Sequence, residues 1–202
     1  MSLALLRNLL PAALWLGFAL GAGTQFLRHG APLSLVMAAV NTFIAALFLF
    51  RRPEASAPSP RLSGATVLAW VGTFLPFLLR PNAAPTPDAW LPVVIALQLV
   101  GVLGIVGSLG ALGRSFGLSP ARRAVVTHGL YAWVRHPLYA AELLYFLGVA
   151  IAAPTPLNAL VWVALLAIQW CRARNEERCL EEDAAYREYR GRVRFRFLPG
   201  IL

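Results

Sequence analysis

The sequence predicts an all-α fold: a polytopic bundle of about six membrane-spanning helices with a cytoplasmic helix near the C-terminus. Of the 202 residues, 58% are hydrophobic and 13% are charged, about half the charge of an ordinary soluble domain. The charged residues are confined to gaps between long apolar runs, which is typical of membrane proteins. Because a backbone in lipid must satisfy its own hydrogen bonds, each apolar run is expected to be helical.

The predicted spans are close to the ~20 apolar residues that a bilayer requires, although the last two are short. They are residues 9–27, 33–50, 64–79, 91–112, 138–153 and 157–171. The first is predicted to be a true span and not a cleaved secretory signal, because no convincing cleavage site follows its long core. A link of four residues, 153–156, joins the last two spans, so these helices should form an antiparallel hairpin.

A Pro-rich segment over residues 51–61 divides the chain. We predict a two-span N-terminal extension with its linker over residues 1–62, and a four-span core with a cytoplasmic tail over residues 63–202. The fourth span also carries glycines at steps of three residues. This pattern is interpreted either as close helix packing through small residues or as a groove for a ligand or a lipid chain. These glycines are Gly101, Gly104, Gly107, Gly110 and Gly113.

Arginine placement orients the predicted bundle. All 18 basic residues are Arg, and sixteen of them fall in tails or loops that six spans place on one side, leaving Arg28 and Arg80 on the other. The positive-inside rule therefore predicts cytoplasmic termini, and a bacterial inner membrane is the expected location. The arginines flank apolar runs and form no basic stripe, so the net charge of +9 favours contact with anionic lipid and no nucleic-acid partner.

Two polar clusters interrupt this apolar pattern. In the first, residues 135–139, Pro137 suits the first position of the fifth span, where its missing N–H costs nothing. The free N–H groups of that helix start, with its dipole, favour an anion. Arg135 and His136 lie beside this site, and Tyr139 shares a helix face with His136. The alternative interpretation is membrane anchoring, with Arg135 at lipid headgroups and Tyr139 in an aromatic belt.

The second cluster, residues 172–177, follows the sixth span. Arg172 and Glu176 share a helix face, either as an exposed ion pair or as two groups pointing into a cavity at the membrane surface. Glu177 and the acidic residues 181–183 are predicted to form a solvated face. We expect no metal site, because the sequence has no CxxC and no His/Cys ligand spacing. The two cysteines, Cys171 and Cys179, are predicted to be reduced.

Three short motifs, taken together, resemble the isoprenylcysteine carboxyl methyltransferase family, a group of integral-membrane enzymes that use S-adenosylmethionine. The resemblance covers roughly residues 110–200, and the pairing of R-H-P-x-Y with E-E-x-x-L around a helical hairpin is its most specific feature. The motifs are Thr127-x-Gly129-x-Tyr131-x-x-Val134-Arg135-His136-Pro137-x-Tyr139, Glu176-Glu177-x-x-Leu180 and Tyr186-x-x-Tyr189.

The resemblance implies S-adenosylmethionine as cofactor, in a pocket formed by the loop 113–137 and the tail, with the bilayer and a lipophilic acceptor as partners. It implies that Arg172 orients the carboxylate of that acceptor. Departures in the tail, such as Ala184 where an aromatic is common, leave the acceptor open. The cofactor-binding residues implied are Arg123, Ala124, Val125, Val126, Tyr131, Arg135, His136, Pro137, Leu138, Tyr139 and Glu176.

Other functions are also considered. Related membrane methyltransferases modify phospholipid amines or thiols. An amine acceptor must lose a proton, for which Glu142, a carboxylate within the fifth span, is a candidate. A transporter would require inverted repeats or broken helices in matching halves, which the sequence does not show. A reductase, as in a more distant related family, would have to bind a nicotinamide cofactor. A carboxyl methyltransferase is the favoured prediction.

Overall fold

A computed structural model describes residues 3–29, 32–50, 64–80, 86–113 and 125–200, and the chain is α-helical throughout these ranges apart from short turns and connections. The Pro-rich segment 51–61 lies outside the described residues. The all-α prediction is confirmed for the part described. The helices are α1 (Leu3–His29), α2 (Pro32–Phe50), α3 (Gly64–Phe74), α4 (Leu91–Leu112), α5 (Pro137–Ala152), α6 (Pro156–Leu180) and α7 (Ala184–Arg192), with 3₁₀ turns at Leu75–Leu78, Asp88–Trp90 and Gly129–Ala132.

The helices belong to two compact units. One contains α1 and α2, and the other contains α3 to α7. In the first unit α1 packs against α2, and Ala12, Ala45 and Phe48 are almost completely buried. The predicted domain boundary at residue 62 falls outside the described residues. Both polar clusters lie in the second unit.

Six helices coincide with the predicted spans. By length and composition, three of them could cross a membrane: Asn8–Arg28, Asp88–Leu112 and Pro156–Leu180. The other three are shorter apolar helices, Leu35–Phe50, Gly64–Leu78 and Pro137–Ala152. Helix α5 has 16 residues and is therefore about 24 Å long, less than the ~30 Å of a bilayer core. The described helices are those of a helical membrane bundle, and the full count of six crossings stays a prediction.

The predicted hairpin of the last two spans is confirmed, since α5 packs against α6. Thr155 caps α6 by accepting a hydrogen bond from the Asn158 backbone N at 3.2 Å. The fully buried Asn158 side chain donates to the Ala153 carbonyl at 2.7 Å. It also accepts from the Arg80 N–H at 2.9 Å and donates to the Arg80 carbonyl at 3.1 Å. These bonds fix the end of the hairpin that lies opposite the polar clusters.

Close packing explains two of the glycines in α4. A Cβ added at Gly101 would lie 2.7 Å from the backbone N of Tyr145, and one added at Gly104 would lie 2.7 Å from the Cβ of Ala141. At Gly110 no heavy atom lies within 4 Å of the added Cβ. The packing interpretation of the glycine pattern is therefore supported at Gly101 and Gly104, where α4 contacts the backbone of α5 or a small side chain.

Helix α6 is longer than the predicted sixth span and continues without a break from its apolar part to Leu180. The second polar cluster is thus carried on the same helix as the span. One face stays buried along the whole length, at spacings of three and four residues that match the helix period. Its buried residues are Asn158, Val161, Leu165, Gln169, Arg172, Ala173 and Glu177.

Candidate functional site

Helix α5 begins at Pro137, as predicted. The preceding residue, His136, occupies the N-cap position but provides no side-chain cap, and the first turn contains no acidic residue. The N–H groups at this helix start are therefore not satisfied by a capping side chain. Upstream, the 3₁₀ turn starts at Gly129, whose φ of +62° lies in the left-handed region that glycine tolerates best.

Glu177 lies at the centre of the site, and its predicted place on a solvated face is wrong. It is 3% exposed. Its Oε1 accepts hydrogen bonds from Arg135 Nε at 2.9 Å, from His136 Nε2 at 3.1 Å and from Arg196 Nε at 3.0 Å. Its Oε2 accepts from Arg196 Nη2 at 2.7 Å. A buried carboxylate requires such compensation, so Glu177 joins α5, α6 and the tail.

Arg135 supports this junction. Besides bonding Glu177, its Nη1 donates to the carbonyls of Val193 and Arg194 in the tail. Its backbone N–H donates to the carbonyl of Phe195 at 2.9 Å. The guanidinium is buried. A buried guanidinium with these contacts is not a lipid-headgroup anchor, and the contact of Arg135 with the cofactor stays a prediction.

The tail beyond α7 folds back over His136. The backbone N–H of His136 donates to the Arg196 carbonyl at 2.9 Å. The Phe197 ring meets the His136 ring edge-on at 6.2 Å and the Trp170 ring at 5.8 Å. The Arg196 guanidinium carbon lies 4.5 Å from the centre of the Trp170 ring. Residues 195–197 therefore cover one side of the polar cluster.

Tyr139 connects the two clusters predicted from the sequence. Its ring stacks on that of His136, with the ring centres 5.6 Å apart and the planes 2° apart, as expected for residues on one helix face. Its hydroxyl donates to Glu176 Oε1, and the other oxygen of Glu176 lies 3.7 Å from His136 Nδ1. On its other side, the Arg172 guanidinium carbon lies 4.7 Å from the centre of the Tyr139 ring.

Arg172 is therefore not half of an exposed ion pair with Glu176. It is 7% exposed and donates from Nη1 to Gln169 Oε1 at 3.0 Å. The amide nitrogen of Gln169 in turn donates to Glu142 Oε2. The buried Nε of Arg172 finds no hydrogen-bond partner in the part of the chain that the structure describes. A buried cation thus keeps an unused donor next to Tyr139, between the membrane helices and the polar cluster.

Helix α7 supports the site from the C-terminal tail. Tyr186 and Tyr189 form a small core with Val193, onto which Val125 and Leu180 pack. The Tyr189 hydroxyl donates to the Tyr131 carbonyl at 2.7 Å. Burial raises the pKa of Tyr189 to about 12, so this phenol remains a neutral donor at physiological pH.

The other predicted cofactor residues lie around the same cluster. Tyr131 is buried, and that burial raises the pKa of its hydroxyl well above the usual value. Val125 and Val126 are half-buried in the segment leading to the turn at Gly129, and Leu138 is half-buried in the first turn of α5. Arg123 and Ala124 lie outside the described residues.

Three residues of this site were not among those predicted from the sequence, namely Gln169, Glu177 and Arg196. A signal for the first two was present: continuing the three- and four-residue spacing of α6 from Leu165 leads to positions 169, 172 or 173, and 177. Arg196 carries no such signal, because its contact depends on the tail folding back onto α6.

The arrangement offers two chemically distinct regions. Around His136, Glu176 and the uncapped start of α5, an acidic group lies beside N–H donors, a combination suited to a zwitterion. Around Arg172, a buried guanidinium with a free donor is suited to an anion. Tyr139 contacts both regions, so two ligands bound there would lie side by side.

Comparison with known protein families gives a match that includes part of this site. Residues 90–187 match the phospholipid methyltransferase family, and this range contains Glu142, the R-H-P-x-Y motif and all of α6. No match to the chain is found among the curated proteins. The resemblance seen in the sequence is confirmed at the level of this family, which also includes the isoprenylcysteine carboxyl methyltransferases. Over residues 90–187, just under half of its length, the chain is therefore similar to the phospholipid methyltransferase family, a family of integral-membrane methyltransferases.

Proposed function

We propose that this protein is a membrane enzyme that transfers a methyl group from S-adenosylmethionine to a carboxylate of a lipophilic acceptor. The proposal rests chiefly on one observation: the buried guanidinium of Arg172 keeps a donor nitrogen, Nε, without a partner among the described residues. An unpaired buried donor is costly to a fold, and an anionic ligand would satisfy it. The family assignment supports the reaction type, and Arg172 supports the choice of acceptor.

The residues around His136 fit the cofactor. Its methionine moiety carries a carboxylate and an ammonium group. The uncapped first turn of α5 suits the carboxylate, and Glu176 suits the ammonium group. We propose that the remaining contacts come from Arg123 and Ala124, as the resemblance implies, from the segment 125–136 before α5, and from the residues around Tyr131 and Tyr139. When bound, S-adenosylmethionine supplies an electrophilic methyl group on a sulfonium. Aromatic rings attract such a cation by about 0.5–2 kcal/mol.

A carboxylate acceptor is already ionised at neutral pH and needs no general base, so the chain's own task is alignment and charge placement. Arg172 holds the acceptor oxygen through its free donor. Tyr139, lying under the guanidinium and bonded to Glu176, fixes the distance between the acceptor and the cofactor. We assign no proton transfer to His136 and propose that it, with Arg135, holds Glu177 and the tail in place. We propose that the protein lies in a bacterial inner membrane and that both termini are on the cytoplasmic side.

Calorimetry with S-adenosylhomocysteine, followed by methylation assays with radiolabelled cofactor, tests the proposal. We expect Glu176→Gln to abolish measurable cofactor binding, and Arg172→Gln to leave binding unchanged while removing turnover of a prenylated cysteine carboxylate. Arg174→Gln is the matched control, since Arg174 is exposed on the same helix and should be silent in both assays. Wild-type protein that fails to bind S-adenosylhomocysteine would refute the proposal.

A second candidate acceptor is a phospholipid amine, which the name of the matched family suggests. The observation in its favour is Glu142, a carboxylate within α5 that Gln169 holds near Arg172. An amine must lose a proton as it is methylated, and Glu142 is placed to accept one.

Two measurements separate these acceptors. Vesicles of phosphatidylethanolamine and a prenylated cysteine carboxylate are offered in parallel, each with wild type and with Glu142→Gln. An amine methyltransferase would label the phospholipid, and Glu142→Gln would remove that activity. For a carboxyl methyltransferase we expect label in the carboxylate alone, recovered as base-labile ester, and only a partial loss in Glu142→Gln, because glutamine can still bond Gln169.

A further inference from the structure

The buried face of α3 contacts Arg172. Gly72 is buried in α3, and a Cβ added to it would lie 3.0 Å from Cδ and 3.0 Å from Nη1 of Arg172, and 3.0 Å from Cγ2 of Ile168. The Arg172 side chain therefore lies against the backbone of α3 at Gly72, a position that has no side chain. Gly72 is outside residues 90–187, the range of the family match.

We propose that Gly72 is a positioning residue for the methyl acceptor: its missing side chain leaves the space in which the Arg172 guanidinium takes its orientation. This inference rests on the proposed role of Arg172 toward the acceptor. The proposed role of Gly72 extends the acceptor site to α3, so that the acceptor group binds between α3 and α6.

Arg172 has little freedom to move away from a new side chain at position 72. Gln169 holds Nη1 at 3.0 Å, and the Tyr139 ring lies against the guanidinium on another side, 4.7 Å from its carbon. Ile168, the other neighbour of position 72, is β-branched and stiff at χ1. A methyl group at position 72 would therefore displace the guanidinium and break its alignment with Gln169 and Tyr139.

The substitution Gly72→Ala tests this role. Contacts of 3.0 Å require Arg172 to shift by a few tenths of an ångström, less than the ~1 Å misplacement that costs about 100-fold in rate, so we expect kcat/KM for the acceptor to fall by about 3- to 10-fold. The affinity for S-adenosylhomocysteine should stay within about twofold of wild type, because Gly72 contacts Arg172 and not the residues proposed to hold the cofactor.

A double-mutant cycle with Arg172→Lys separates positioning from general damage to the fold. Lysine keeps Cδ but has no guanidinium fixed by Gln169 and Tyr139, and its flexible side chain can move away from a new methyl group. In the Arg172→Lys background Gly72→Ala should therefore change kcat/KM by less than about twofold. Equal losses in both backgrounds, or wild-type kcat/KM in Gly72→Ala, would overturn the inference.

Two glycine variants serve as controls. Gly148→Ala crowds α4, where an added Cβ would lie 2.8 Å from Gln98 Cγ and 3.2 Å from the Val94 carbonyl, but it does not touch Arg172. It should lower thermal stability without coupling to Arg172→Lys. Gly110→Ala, with no heavy atom within 4 Å, should be silent.

Where Gly72→Ala alone gives no folded protein, the cycle is repeated in an Ile168→Ala background, which removes the helix–helix clash and keeps the one with Arg172. The same coupling is expected there, and its absence counts against the inference. Wild-type protein that binds no S-adenosylhomocysteine refutes the proposed function itself. Wild-type binding and turnover without coupling between positions 72 and 172 refutes only the role of Gly72.

Discussion

The imidazole Nε2 of His136 lies 3.1 Å from Oε1 of Glu177, although the two residues are 41 positions apart in the chain. This contact joins the start of α5 to the polar end of α6. Arg135 and Arg196 converge on the same carboxylate, so three positively charged or donor side chains depend on one buried acceptor.

Glu177→Gln should therefore destabilise the protein strongly. Removing one partner of a buried ionic network costs about 3–5 kcal/mol, and glutamine would leave two guanidinium groups without a counter-charge. Thermal unfolding in detergent micelles measures this loss. Glu181→Gln is the control, because the pair of Glu181 with Arg190 is exposed and such pairs contribute less than about 1 kcal/mol. Equal losses in the two variants would contradict the central role of Glu177.

Two substitutions of Tyr139 should have separable effects. Tyr139→Phe removes the hydrogen bond to Glu176 but keeps the ring against Arg172. We expect cofactor affinity to fall on the order of tenfold, as for the loss of a hydrogen bond to a charged group worth about 1.5 kcal/mol. Tyr139→Leu also removes the ring and should further lower kcat/KM for the acceptor. Calorimetry and initial rates distinguish the two losses. A Phe variant with wild-type affinity would argue against the link between Tyr139 and Glu176.

Alkaline pH should loosen the tail through Tyr189. Its pKa in the folded protein, about 12, exceeds the ~10 of an exposed tyrosine. The folded state therefore retains a proton that the unfolded state loses. The contribution of Tyr189 to stability is complete below pH ~10 and declines as pH rises towards about 12. Tyrosinate absorbance of wild type minus that of Tyr189→Phe should titrate near 12, and a midpoint near 10 would show that this phenol is exposed.

Gly101→Ala should weaken the contact between α4 and α5. The added methyl group would lie 2.7 Å from the Tyr145 backbone, which cannot yield as a flexible side chain would, and overpacking of this kind costs about 1–3 kcal/mol. Gly110→Ala on the same helix should be neutral or stabilise by up to about 1 kcal/mol through helix propensity. Thermal unfolding of the two variants compares them directly, and equal melting temperatures would contradict the close packing at Gly101.

Local rules predicted much of this architecture from the sequence. Pro137 marked the start of α5 because proline favours the first helical turn, and the four-residue link 153–156 required a hairpin. The rings of His136 and Tyr139 came together because three-residue spacing repeats a helix face. The prediction that Glu177 is solvated was wrong because it was grouped with the other acidic residues that follow it. The helix period nevertheless continues the buried face of α6 to position 177.

What the sequence could not predict depends on contacts between distant segments. Arg135 was expected beside the ligand, but no local pattern predicted that the tail would fold back and that residues 193–195 would accept hydrogen bonds from its Nη1 and backbone N–H. The same folding back of the tail brings Arg196 to Glu177. The approach of Gly72 to Arg172 arises from the packing of α3 on α6, for which neither helix carries a local motif.

Because α6 runs unbroken from the fully buried Asn158 to Glu177, it keeps those two residues about 28 Å apart along the helix axis. Arg172 is thereby held at a set distance from the opposite end of the hairpin. Under the proposed function, bilayer thickness would then determine which part of an acceptor reaches Arg172. A thinner or thicker bilayer would change the tilt of α6. A single residue inserted into the apolar part of α6 would rotate Arg172 and Glu176 by about 100° around the helix axis, away from Tyr139.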